Sequence, residues 1–255
     1  MPSQKVHDIE SAARETGSNG FEYDCEPRSG VLTVEEMNEM ASPDVLAIFD
    51  ARQKSLAACQ NKGKGSGDDG RNDRIASADA LAVEAHARQF RKGGDIPYIE
   101  HPRGVAVLVK AYGGNENQQI AALLHDVLED GGAEYLERVA AFGPDVLRMV
   151  RDCSDCVPVA GTNKPPWQER KDAYLAHLQT VQDDSLLVSA CDKLYNLGTI
   201  LEDFALVGEA VFDRFSVPKG RTVWYYRELG RIFATRRPAP AVIFFAKLEE
   251  LNRLA

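Results

Sequence analysis

From Ser77 to the C-terminus, apolar residues recur at spacings of three and four, the periodicity of helices buried along one side. The stretches ASADALAVEAHARQF, IAALLHDVLED, AEYLERVAAF, DVLRMV, RKDAYLAHL, LLVSACDKLYNLGTIL and TVWYYRELGRIF all carry it. Short connectors, Gly113–Gly114, Gly131–Gly132 and FGPD, separate them. No segment alternates with period two and no hairpin signal joins two strand-like runs, so the pattern predicts an all-α bundle over residues 74–236. The last segment, APAVIFFAKLEELNRLA, is expected to close it with a helix within 237–255.

The upstream residues follow other rules. Residues 1–32 are polar and aperiodic and are expected to be disordered. Thr33 with Glu36 forms a capping-box signature, and Ser42 followed by Pro43 forms another helix start; two short helices near 33–41 and 43–59 are expected. The Gly- and charge-rich run at 61–73 then reads as a linker. The polar N-terminus has no apolar signal core, and no run approaches the ~18 apolar residues of a membrane span, which leads to the expectation of a cytoplasmic protein. A net charge of −9 argues against a general nucleic-acid binder. Five cysteines, an odd number without framework spacing, suit reduced thiols. CSDC, from Cys153 to Cys156, has the spacing of half a zinc site, but no second pair completes it.

One helix carries a cost that needs explaining. In IAALLHDVLED an apolar run meets His125, Asp126, Glu129 and Asp130 within six positions. At ~100° per residue on an α-helix these four fall within an arc of about 140°, and buried ionisable groups are expensive unless paired or bound to a metal. A polar helix end would explain this stretch alone. Two further places shift the balance. His101 precedes Pro102 in PYIEHPRGVAVLV, which fixes it at a helix entrance. Asp192 lies among Leu186, Leu187, Val188, Ala190, Cys191, Leu194 and Leu197, with Asn196 one turn on along the same face. Two histidines and two aspartates on three helices make a mixed nitrogen and oxygen ligand set: His101, His125, Asp126 and Asp192. Imidazole with hard oxygen and no thiolate suits Mn²⁺ or Fe²⁺ and accepts Zn²⁺. Glu129 and Asp130 then stand ready to handle protons for a water at the metal.

These motifs, AHARQFRKGGDIPYIEHPRGVA, IAALLHDVLED, FGPDVLRMV and LLVSACDKLYNL, resemble in order and spacing the RelA/SpoT-homologue hydrolase domain of the HD phosphohydrolase superfamily, over residues 77–226. The resemblance implies an HD-domain helical bundle around a metal site, with the same four ligands holding Mn²⁺. It implies hydrolysis of the 3′-pyrophosphate of ppGpp and pppGpp, giving GDP or GTP and pyrophosphate. It further implies that Arg91, Lys92, Arg170 and Lys171 meet substrate phosphates, and that Asn196 and Tyr225 contact the nucleoside. About thirty residues follow Tyr226, too few for the synthetase domain of the long bifunctional members. Two positions depart from the family: Gly131 stands where Thr is usual after the ED pair, and Trp167 where some animal members have lysine, a role Lys164 can take.

The acidic net charge is compatible with a small anionic substrate, since Arg88, Arg91, Lys92, Lys164, Arg170, Lys171 and Lys193 can form a local basic patch. The substrate is expected to be a guanosine nucleotide, with neither nucleic acid nor membrane as partner and a homo-oligomer left open. Rival readings are an HD phosphohydrolase acting on another phosphorylated nucleotide such as NADPH, and a catalytically silent metal-binding HD module.

Overall fold

The computed structural model describes residues 71–156, 163–236 and 238–254. The region expected to be disordered, 1–32, the two short helices and the linker up to residue 70 lie outside the described residues.

Among the described residues nine α-helices follow one another: α1 (Arg71–Ala85), α2 (Glu100–Ala111), α3 (Glu116–Leu124), α4 (Leu136–Ala140), α5 (Pro144–Cys153), α6 (Trp167–Leu178), α7 (Asp183–Val207), α8 (Lys219–Arg236) and α9 (Ala241–Leu254). The all-α reading holds: among the described residues there is no strand, only an isolated antiparallel bridge between Phe90 and Pro97. The closing helix falls inside its expected span. The linker reading runs three residues too far, because α1 takes in Arg71, Asn72 and Asp73.

The 25-residue α7 is the centre of the bundle, packed by α2, α3, α5 and α9. Its buried residues, Leu186, Val188, Cys191, Leu194, Leu197 and Ile200 among them, lie on every side of the helix, as expected of one enclosed by neighbours. Local chemistry sets the helix ends. Asn115 caps α3 reciprocally with Gln118, side chain to backbone at 3.0 Å and 2.9 Å. Pro144 opens α5 directly after Gly143, whose φ of 109° no L side chain adopts easily. Arg236 of α8 donates to the Leu178 and Val181 carbonyls, at 3.0 and 2.7 Å, satisfying acceptors at the end of α6. Arg74 ties α1 to the domain through Asn117 (3.1 Å) and the Phe142 carbonyl (2.8 Å).

Two expectations about local geometry change. The four ionisable residues of IAALLHDVLED do not share one α-helix: α3 ends at Leu124, His125 and Asp126 form a turn, and Val127–Gly131 winds as a π turn. Pro102 is the third residue of α2 rather than the first, so the helix starts before His101.

Candidate metal centre and active site

His101 comes from the first turn of α2, His125 from the residue that follows and caps α3, and Asp192 from the middle of α7. One donor atom from each lies within 4.8 Å of the others, and all three residues are buried. The imidazole Nε2 atoms face each other at 3.1 Å; Asp192 Oδ1 stands 3.2 Å from the first and 3.6 Å from the second. Asp126 Oδ2 lies 3.4 Å from His101 Nε2 and 3.1 Å from His125 Nε2, so the fourth residue of the expected set is at the same point.

The arrangement fits a divalent ion. His125 Nδ1 is 2.8 Å from the Ala122 carbonyl, which can only accept, so this nitrogen carries the proton and Nε2 presents its lone pair. Adjacent ligands about 2.1 Å from one ion stand about 3 Å apart, the separation found here. Burial works to lower the His125 pKa, yet the neighbouring Asp126 and Asp192 carboxylates hold it well above its ordinary range. A positive charge between the rings is what the site favours, and the cluster can hold a divalent metal.

A supporting layer fixes these groups. Asn196 donates to Asp192 Oδ1 at 2.7 Å and Lys193 to Oδ2 at 2.6 Å. The Lys193 ammonium also lies over the Tyr174 ring, 4.9 Å from the centroid. Tyr98 donates to Asp126 Oδ2 at 2.6 Å, and its ring packs between His86 and His101. Tyr98 and His86 escaped the sequence reasoning, although Tyr98 stands three residues before His101, a spacing that brings two side chains together on a helix entrance.

His101 opens onto a cavity of about 400 Å³. Of the residues expected to act here, Arg91, Lys92, Glu129, Lys164, Arg170, Lys171, Asn196 and Tyr225 line it. Glu129 accepts from Lys164 at 2.7 Å; burial, then the nearby Asp155, raises its pKa. Asp130 is exposed and outside the lining, with its pKa pushed up to about 6 by the desolvating chain around it and then by Asp126 and Glu129. Arg88, counted in the basic patch, is also exposed and outside the lining.

Arg170 and Lys171 are not solvated surface charges. Both converge on the Asp155 carboxylate, Arg170 Nη1 at 2.6 and 2.7 Å and Lys171 Nζ at 2.6 Å. Lys171 also lies over the Tyr225 ring at 4.8 Å. The CSDC stretch therefore contributes a cation-holding aspartate, while Cys153 within it is a free, buried thiol. At Gly131 a Cβ would stand 2.8 Å from the Tyr135 ring, which would have to shift to admit it.

A helical bundle carrying a His–Asp metal pocket at the junction of α2, α3 and α7 defines an HD-type domain. The HD domain family profile matches residues 78–220, more than half of the chain, and the chain belongs to that family. Among curated proteins it is 36% identical over 126 residues to the Xenopus tropicalis guanosine-3′,5′-bis(diphosphate) 3′-pyrophosphohydrolase MESH1, covering 48% of this chain and 67% of that one. The Danio rerio protein of the same name is 34% identical over 120 residues, 46% of this chain and 63% of that one. The Escherichia coli bifunctional (p)ppGpp synthase/hydrolase SpoT is 31% identical over 133 residues, half of this chain but only 18% of that protein. Among solved structures, a metazoan SpoT ortholog described as hydrolysing ppGpp superposes with a TM-score of 0.56 at 26% identity, over 75% of this chain and 97% of that one. A Listeria monocytogenes protein, lmo0812, superposes with a TM-score of 0.52 at 22% identity, over 60% and 99%, and shares the fold.

Proposed function

We propose that this chain is a metal-dependent hydrolase that removes the 3′-pyrophosphate of guanosine alarmones, ppGpp or pppGpp, leaving GDP or GTP. The observation that carries the reading is the opening of the His101–His125–Asp192 cluster, through His101, onto a cavity rich in lysine and arginine. The names of the vertebrate MESH1 relatives and of the metazoan SpoT ortholog support the substrate.

His101, His125, Asp126 and Asp192 would hold the ion, with Mn²⁺ favoured by the imidazole and carboxylate donors and Fe²⁺ or Zn²⁺ as other occupants. A bound ion supplies Lewis acidity to a phosphoryl oxygen and to the attacking water. The chain supplies the rest. Glu129, inside the cavity with its basicity raised by burial, takes a proton from the water as it adds to the 3′-phosphorus. Asp130 assists from the exposed side. The bond from phosphorus to the ribose 3′-oxygen breaks, and that oxygen ends with the proton. Arg170 and Lys171, held by Asp155, and Lys164 beside Glu129 balance the charge of the departing pyrophosphate. Arg91, Lys92, Asn196 and Tyr225 orient the remainder of the nucleotide.

The direct test is incubation of the purified protein and Mn²⁺ with ppGpp, pppGpp and NADPH, followed by product identification. Pyrophosphate with GDP or GTP is expected. Phosphate release from NADPH alone would move the substrate elsewhere, and no turnover of any of the three would leave a silent metal-binding module.

A further inference from the structure

After its last buried turn, α7 continues to Val207, Gly208 reverses the chain with a φ of 63°, and a 3₁₀ segment, Gly208–Arg214, folds back. That return brings Val211, Arg214 and Phe215 into the cavity lining beside Lys92. Arg214 Nη1 is 2.8 Å from Asp203 Oδ2, and its guanidinium lies against the backbone of Gly93. Gly93 has a φ of 85°, and a Cβ there would overlap the guanidinium, so only glycine allows the approach. Lys92 stands 5.8 Å from the Phe215 ring centroid, which joins the two loops a second time. Arg91 lies over the Tyr195 ring, and its Nη1 is buried with no hydrogen-bond partner.

Arg91, Lys92 and Arg214 thus line the same cavity, with Asp203 paired to Arg214, and a buried nitrogen of the Arg91 guanidinium still lacks an acceptor, a costly state that a multi-oxygen anion relieves. Asp203 lies eleven residues beyond Asp192 on α7, about 16 Å along the axis, so its partner Arg214 marks an end of the cavity away from the metal centre, while Arg91, over the Tyr195 ring that meets His101, stands nearer to it. A nucleotide phosphorylated on both sides of its ribose would reach both ends.

We infer that Arg214 is a specificity-determining residue that, with Arg91 and Lys92, binds the 5′-phosphates of the nucleotide whose 3′-phosphates lie at the metal centre. The inference rests on the proposed alarmone substrate. Asp203 holds the guanidinium in the cavity until the anion arrives, and then shares it.

The experiment titrates the full chain with GDP and with guanosine as probes, by calorimetry, in wild type, Arg214→Gln and Asp203→Asn. Loss of one charge-assisted contact should weaken GDP about tenfold in Arg214→Gln while guanosine is unaffected. KM for ppGpp should rise by the same factor. Asp203→Asn should bind GDP at least as tightly as wild type, because it releases the guanidinium without removing it. Unchanged GDP affinity in Arg214→Gln overturns the inference. So does an equal loss for guanosine, or an Asp203→Asn variant as weak as Arg214→Gln, since a purely structural ion pair would give either result. If Arg214→Gln misfolds by circular dichroism, Arg214→Lys takes its place, keeping charge while losing the bidentate fork, with an intermediate GDP loss expected and none overturning the inference. A wild type that fails to hydrolyse ppGpp but shows the Arg214-dependent GDP binding would remove the alarmone reading and keep this subsite. Hydrolysis of ppGpp with an unaltered KM in Arg214→Gln would do the reverse.

Discussion

The Tyr195 ring fills the space in front of Gly104 so closely that a Cβ at that position would overlap it. The same ring meets His101 edge-on, with centroids 5.3 Å apart, and its hydroxyl donates to the Glu100 carbonyl at 3.3 Å. Helix α2 reaches α7 at this distance because residue 104 has no side chain, and that approach sets His101 against Asp192.

Gly104→Ala should therefore act on the metal centre without touching a ligand. Forcing a methyl into the ring costs about 1–3 kcal/mol of overpacking, and the displaced ring carries His101 and the overlying Arg91 with it. Calorimetric titration with Mn²⁺ should show weaker binding together with a modest fall in Tm; wild-type affinity would mean that the helices separate without disturbing His101.

Asp192→Ala should lose Mn²⁺ and activity together and also destabilise the protein. It leaves Lys193 buried without its carboxylate, a situation that typically costs about 3–5 kcal/mol. Asp192→Met/Lys193→Met, which removes both charges, should recover part of the Tm without recovering metal. Stoichiometric Mn²⁺ in the alanine variant, measured by elemental analysis, would make Asp192 structural instead.

Glu129→Gln should retain Mn²⁺ and lower kcat by ~10²–10⁴, the usual worth of general-base assistance. Asp130→Asn, at an exposed carboxylate outside the cavity lining, should have the smaller effect. A pyrophosphate-release assay at saturating Mn²⁺ separates the two; near-normal kcat in Glu129→Gln would sink the proposed proton transfer.

Acid stability offers a check far from the site. Hydrogen bonds from Arg148 lower the Asp184 pKa, outweighing its desolvation. The stabilisation from this carboxylate is present above the ordinary aspartate range and is lost as pH falls through the depressed folded value. Both side chains are about one third exposed, so the pair is worth no more than about 1 kcal/mol. Thermal melts of Arg148→Met should fall below wild type near neutral pH and converge with it in acid.

The parts legible in sequence were those written in composition at fixed spacing. The apolar periodicity predicts the bundle, and His101, His125 and Asp192 stand out because charge or imidazole in an apolar helix needs a partner. What was not legible depends on contacts across the fold. Asp155 stands between two cysteines with nothing in its spacing to mark it, and its role comes from Arg170 and Lys171, which reach it from another helix. Arg214 reaches the cavity only through the reversal at Gly208, and nothing in its neighbours' spacing encodes that. The π turn was equally hidden, because an α-helical reading places Glu129 and Asp130 on one side without any sequence conflict.

That π turn makes chain length, not only residue type, a condition of the site. Relative to α-helical winding, Val127–Gly131 accommodates its residues in a wider turn, and removing a single one would let α3 continue in regular register. The backbone would gain better hydrogen bonds while the carboxylates beyond the deletion turned by about 100° about the helix axis. One-residue deletions here should thus yield sturdier but inert proteins. Efforts to thermostabilise this domain by regularising its helices would find their most tempting target at the segment it can least spare.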